Sequence, residues 1–199
     1  MPPRTEEDYS SAESVRLAVT ALEAGELVVI PTDTVLGLAA DPRVPGAKQK
    51  LYEAKDRDSS KPIPVLVSDA GNAVKRGAVM GEAAQKLARK FWPGPLTMVL
   101  PTGGGFEGFR VPDHPAALAV IRAVGGAIYA TSANRSGMKP AGSAAEACRM
   151  LGPCVTMAVT VGPAPRGTES TVVKVEGGNV TILREGAVPE KDILACLKE

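Results

Sequence analysis

The run Leu27-Val28-Val29-Ile30, set between Gly25 and Pro31, constrains the fold more than any other segment. It is too short for a helix and has no polar alternation, so it reads as a strand buried on both faces. Such a strand needs layers above and below it, and the rest of the chain supplies them. Ser10 and Glu13 form a capping-box pair ahead of a helix through Val15, Ala18, Val19 and Leu22. Pro45 suits the first turn of a second helix, which runs through Leu51 and Tyr52 toward Lys55. Ile63 to Val67, Leu96 to Leu100 and Ala127 to Ala130 read as strands. Helices are expected near 69–76, 81–91 and 114–124, and Ser143 caps another through Met150. Ser170 to Val175 and Val180 to Arg184 flank the hairpin turn Glu176-Gly177-Gly178-Asn179, and a short helix follows Pro189. Gly103-Gly104-Gly105 reads as a flexible connection. The sum is an α/β fold: one twisted, open, mixed sheet with packed helices. Residues 1–9 are expected to be flexible and 10–199 to form a single domain.

Composition narrows the function. With 23 Lys+Arg against 22 Asp+Glu the net charge is +1, so no bulk field draws the protein onto nucleic acid and any RNA contact must be local. Aromatics at 4% do not build an extended base-stacking platform. Cys148, Cys154, Cys196 and the lone His114 match no zinc or disulfide pattern. No stretch reaches the roughly 18 apolar residues of a membrane span, and the polar N-terminus has no signal-peptide core, so a cytoplasmic address is expected.

Two polar clusters carry the chemistry. Lys55, Arg57 and Lys61 place three cations within seven positions, a natural clamp for a triphosphate. A solvated helix end would look the same. Thr131-Ser132-Ala133-Asn134-Arg135-Ser136-Gly137 offers hydroxyls and amides after a strand, which is also ordinary turn chemistry. There is no GxxxxGK[ST], so side chains rather than a P-loop would hold phosphate. Pro31-Thr32-Asp33-Thr34 sits where α/β sheets keep ligand groups, though it also reads as a Thr/Asp turn. Arg110, before Val111-Pro112-Asp113-His114-Pro115, suits a carboxylate clamp, and His114 reads as a helix-start residue. Ser170-Thr171 and Arg184 lie on adjacent hairpin arms and can face one another.

In order, PTDTVLGLAADP, KDRDSSKP, WPGPLT, RVPDHP, TSANRSG, STVV and ILREG resemble the YrdC-type threonylcarbamoyl-AMP synthase family over about residues 10 to 190. The resemblance is to the short, single-domain form. It implies a concave, positively lined sheet face and synthesis of threonylcarbamoyl-adenylate and pyrophosphate from L-threonine, bicarbonate and ATP. A partner transferase would then modify tRNA. It puts Lys55, Arg57, Lys61, Asn134, Ser143 and Arg184 on the ATP side, with Lys55 and Arg57 stabilising charge during catalysis. On the threonine side it puts Thr34, Leu66, Arg110, Ser132 and Ser170, with Phe106 in the same cavity. Mg²⁺ is expected with the polyphosphate. The chain departs from the family pattern at Leu36, where an aromatic is usual, and at Leu66, where His is common. Two other readings carry the same motifs: a non-catalytic RNA- or ribosome-associated relative, and a carbamoyl-adenylate-forming enzyme.

Overall fold

The computed structural model describes residues 11–162 and 165–198. The expected flexible N-terminus and the Ser10 cap lie outside them. In chain order the elements are α1 (Ser11–Glu23), β1 (Leu27–Ile30), β2 (Gly37–Ala40), α2 (Ala47–Lys55), β3 (Val65–Val67), α3 (Ala70–Lys75) and α4 (Glu82–Phe91). They continue as β4 (Leu96–Thr102), β5 (Gly105–Arg110), α5 (Pro115–Ala123), β6 (Ala127–Ser132) and α6 (Ala144–Leu151). β7 (Val155–Ala158), β8 (Thr171–Glu176), β9 (Asn179–Arg184) and α7 (Glu190–Lys198) complete the order. The nine strands form one mixed sheet in the order β7-β1-β2-β6-β3-β5-β4-β8-β9. β1 pairs parallel to β7, β3 to β5 and β4 to β8, while the other neighbours run antiparallel.

Alternation along β1 explains why all four of its residues are apolar. Leu27 and Val29 face a core shared with Leu51 of α2 and Leu151 of α6. Val28 and Ile30 face the opposite core, against Leu22 of α1 and Val120 of α5. Further along the sheet, Phe109, Met98, Leu100 and Val173 pack beneath α4 and α7, and their sequence neighbours Arg110, Thr97, Val99 and Val172 point to the other face. That second face is the one α1 and α5 cover at the β1 end. Over β3, β5, β4 and β8 it lines a cavity instead.

Three strands depart from the reading of the sequence. β2 (GLAA) has no β-branched residue, and pairing on both sides, to β1 and β6, makes it a strand. The glycines at 103 and 104 form the turn of a β4–β5 hairpin, with Gly105 paired to Thr102. β7 follows Pro153-Cys154 directly and is held by its pairing to β1. Of the helix caps, Ser143 accepts from the Glu146 amide at 3.2 Å and His114 accepts from the Ala117 amide at 3.4 Å. α2 begins at Ala47 after Gly46, so Pro45 lies before the helix rather than in its first turn.

Candidate functional site

The cavity on the open sheet face has a volume of about 780 Å³, within the roughly 300–1,000 Å³ of small-molecule sites. Strand alternation puts Phe106, Gly108 and Arg110 of β5 on its floor beside Thr97 and Val99 of β4. A side chain at Gly108 would crowd Pro64, its Cβ falling 3.3 Å from the Pro64 Cβ. Thr32, Thr34 and Val35 close one end. Arg57, Lys61 and Arg184 line it as well, with Glu169, so cations outnumber carboxylates on its wall although the net charge of the chain is only +1.

Arg110 is the best-built group. It is only 6% exposed. Its Nε donates to the Gly94 carbonyl at 3.0 Å, Nη1 to Thr34 Oγ1 at 2.8 Å and Nη2 to Asp33 Oδ1 at 2.5 Å. Asp33 Oδ1 also accepts from the Asp113 amide at 3.0 Å, which ties the PTDT loop to the RVPDHP loop. Burial lowers the Arg110 pKa from its ordinary value, and Asp33 opposes that shift. Three of the five guanidinium N–H groups are thereby used. The remaining pair, one on each Nη, suits a bidentate carboxylate. Gly94 keeps this turn because it lacks a Cβ, which would lie 2.6 Å from the Phe91 carbonyl oxygen.

Hydroxyls surround this fork. Thr32 Oγ1 lies 3.0 Å from Thr34 Oγ1 and donates to the Val35 carbonyl at 2.7 Å. Thr97 and Ser170 hydroxyls share a hydrogen bond of 2.9 Å. Arg184 bridges Glu169 Oε2 at 2.8 Å and the Ser170 carbonyl at 2.9 Å, so the two hairpin arms do face one another as their spacing suggests. Arg57 donates to the carbonyls of Lys61 at 3.3 Å and Pro62 at 3.2 Å, which braces the loop that carries Lys61.

Nine of the twelve residues picked out by the sequence line this cavity: Thr34, Leu66, Phe106, Arg110, Ser132, Ser170, Arg57, Lys61 and Arg184. Lys55, Asn134 and Ser143 are not on its wall. Lys55 is 1% exposed, and its ammonium donates to the carbonyls of Ser132 and Asn134, with Asn134 Oδ1 at 3.4 Å. Asn134 donates to the carbonyls of Arg135 at 3.0 Å and Met138 at 2.6 Å. Both hold the 132–138 loop in shape through these contacts. Ser143 caps α6, its hydroxyl accepting from the Glu146 amide. The reason Lys55 and Arg57 diverge is local: Asp56 ends α2 with φ 48°, a left-handed turn that sends Arg57 outward and leaves Lys55 within. Burial, then the nearby Arg57 charge, lowers the Lys55 pKa to about 8. Sequence reasoning did not assign Asp33, Thr97 or Glu169. The carboxylate within PTDT and the threonine ending WPGPLT were the available signals.

A cleft of small-molecule size on one sheet face, lined by a buried arginine, hydroxyls and more exposed cations, defines an α/β protein with a positively lined pocket. The chain belongs to the Sua5/YciO/YrdC family, whose pattern, described as "Telomere recombination", matches residues 20–186. It is 34% identical over 204 residues to the threonylcarbamoyl-AMP synthase of Bacillus subtilis, covering 97% of this chain and 59% of that protein. It is 36% identical to the putative threonylcarbamoyl-AMP synthase of Mycobacterium tuberculosis, covering 90% of this chain and 87% of the relative. The solved Pyrococcus abyssi Sua5 in complex with L-threonine superposes with a TM-score of 0.86 at 30% identity, covering 96% of this chain and 58% of that one. The chain thus spans under two thirds of the Bacillus and Pyrococcus proteins it resembles. Among the described residues no helix is long and apolar enough to cross a membrane.

Proposed function

We propose that this chain is an L-threonylcarbamoyladenylate synthase, forming threonylcarbamoyl-AMP and pyrophosphate from L-threonine, bicarbonate and ATP. The observation that carries the reading is Arg110, a buried guanidinium on the cavity wall, bonded to Thr34, with two N–H groups not used by these bonds. That fork takes the threonine carboxylate, while Thr34, Ser132 and Ser170 supply hydroxyls for its polar groups. Leu66 forms an apolar side where a His is common in the family. Arg57, Lys61 and Arg184 on the wall take the triphosphate. Lys55 and Asn134 serve the nucleotide indirectly, by fixing the 132–138 loop, and Ser143 by anchoring α6 behind it.

Catalysis in this arrangement is positioning and charge stabilisation. The threonine amine attacks carbon dioxide derived from bicarbonate and loses a proton, giving a carbamate. A carbamate oxygen attacks the α-phosphorus, the α–β bridging bond breaks, and pyrophosphate leaves with the electron pair. Arg57, Lys61 and Arg184 offset the charge that builds on the phosphates, and no covalent enzyme intermediate forms. Glu169 is paired to Arg184 and Asp33 to Arg110, and no group of three or more metal-ligating side chains occurs among the described residues. Mg²⁺ therefore fits as part of the MgATP substrate, held by phosphate oxygens and water. The adenylate would pass to a tRNA-modifying transferase. Pyrophosphate release from ATP tests the reading: it should require both threonine and bicarbonate, and release indifferent to threonine would overturn it.

A further inference from the structure

A second cavity, of about 670 Å³, lies on the other side of the sheet, between α3 and α4. Its walls are largely apolar, formed by Val74, Ala78, Met80, Ala88, Trp92 and Val111. Few polar groups reach it, and most are already engaged. Ser68 Oγ donates to Asp69 Oδ2 at 2.8 Å, the Asn72 amide and side chain donate to the same carboxylate, and Gln85 Nε2 donates to the Met80 carbonyl at 2.9 Å. Arg89 differs: it makes no hydrogen bond or ion pair with any described residue. It sits in the last turn of α4 and faces a second, smaller recess with Lys86, whose ammonium is paired with Glu82 at 3.6 Å, so the guanidinium is the uncommitted charge at this end of the cavity. An apolar chamber with one uncommitted guanidinium at its rim selects a ligand with an apolar body and an anionic head. The cavity also touches the machinery of the first site. Pro93 and Val111 of its wall flank the Gly94 link, in which the Gly94 amide donates to the Val111 carbonyl at 2.8 Å while the Gly94 carbonyl holds Arg110.

We propose that this cavity binds a small organic carboxylate with an aromatic or branched apolar body, the body against Trp92 and Met80 and the carboxylate on Arg89. Trp92 is the chain's single tryptophan, so its emission reports occupancy directly. The full chain and its Arg89→Gln variant are titrated with 4-phenylbutyrate, 4-phenylbutyramide and 4-phenylbutylamine. The carboxylate should shift Trp92 emission saturably and bind the parent about fivefold tighter than the variant, the worth of one solvent-facing charge pair. The amide should bind both proteins alike and less tightly than the carboxylate binds the parent. No emission change, equal carboxylate affinity for the two proteins, or a preference for the amine would overturn the proposal.

Discussion

Replacing Arg110 by lysine separates the fork from the charge. Lysine keeps a cation beside Asp33, which avoids the roughly 3–5 kcal/mol penalty of leaving a buried carboxylate unpaired. One ammonium cannot reproduce the contacts to Gly94 at 3.0 Å and Thr34 at 2.8 Å while also reaching Asp33. Losing those two, at about 0.5–1.5 kcal/mol each, should destabilise the fold by about 1–3 kcal/mol. For a chain of this size that lowers Tm by roughly 2–4 °C per kcal/mol, leaving a folded enzyme to assay. The unused N–H pair disappears as well. Loss of a charge-assisted, bidentate carboxylate contact is worth about 1.5–3 kcal/mol, so KM for threonine should rise on the order of 10- to 150-fold. KM for ATP should change less than KM for threonine, since Arg57 and Lys61 do not bond to Arg110 and their contacts survive the substitution. Pyrophosphate release measured against each substrate in turn decides the matter. An unchanged threonine KM in folded protein, or a rise confined to ATP, would refute the reasoning.

Other substitutions test separate parts of the site. Arg57→Ala should leave Tm within a few degrees and cut adenylate formation by about tenfold or more, measured as pyrophosphate release, because its visible bonds are to two surface carbonyls. Asn134→Ala should weaken an ATP analogue in calorimetry and also speed amide hydrogen exchange across 132–138, whereas Arg57→Ala should leave that exchange unchanged. Lys55 gives a pH signature. Its folded pKa, about 8, lies below the ordinary 10.5, so between these values the unfolded chain binds more protons and stability rises with pH. Relative to Lys55→Met, the parent should gain up to about 3 kcal/mol between pH 8 and 10.5 in denaturant titrations, and a constant difference would count against a buried ammonium. Valine and 2-aminobutyrate should be poor substrates beside threonine, because hydroxyl-lined sites reject analogues that leave their polar groups unpaired.

Much of the fold was legible because β1, β4 and the β8–β9 hairpin are β-rich runs bounded by turn residues, and His114 and Ser143 are recognisable helix starts. β2, β5 and β7 were not, since Gly37-Leu38-Ala39-Ala40 and the glycine-flanked Phe106 and Phe109 become strands only through neighbours distant in sequence. The site divides the same way. Residue types announced an anion-binding surface, and strand alternation gathers Thr97, Arg110 and Ser170 on one face. Depth was the missing quantity. A single left-handed residue, Asp56, turns the KxR pair so that one cation lines the cavity and the other is buried behind a loop. The pairing of Asp33 with Arg110 spans 77 residues of chain, which no local pattern reveals.

The most direct test of the central claim follows the carbon. Incubation with ATP, threonine and ¹³C-bicarbonate, followed by mass spectrometry, should yield threonylcarbamoyl-AMP carrying the label, with loss of product when threonine is omitted. An unlabelled adenylate formed only on addition of carbamoyl phosphate, or binding of RNA with no adenylate at all, would contradict the account.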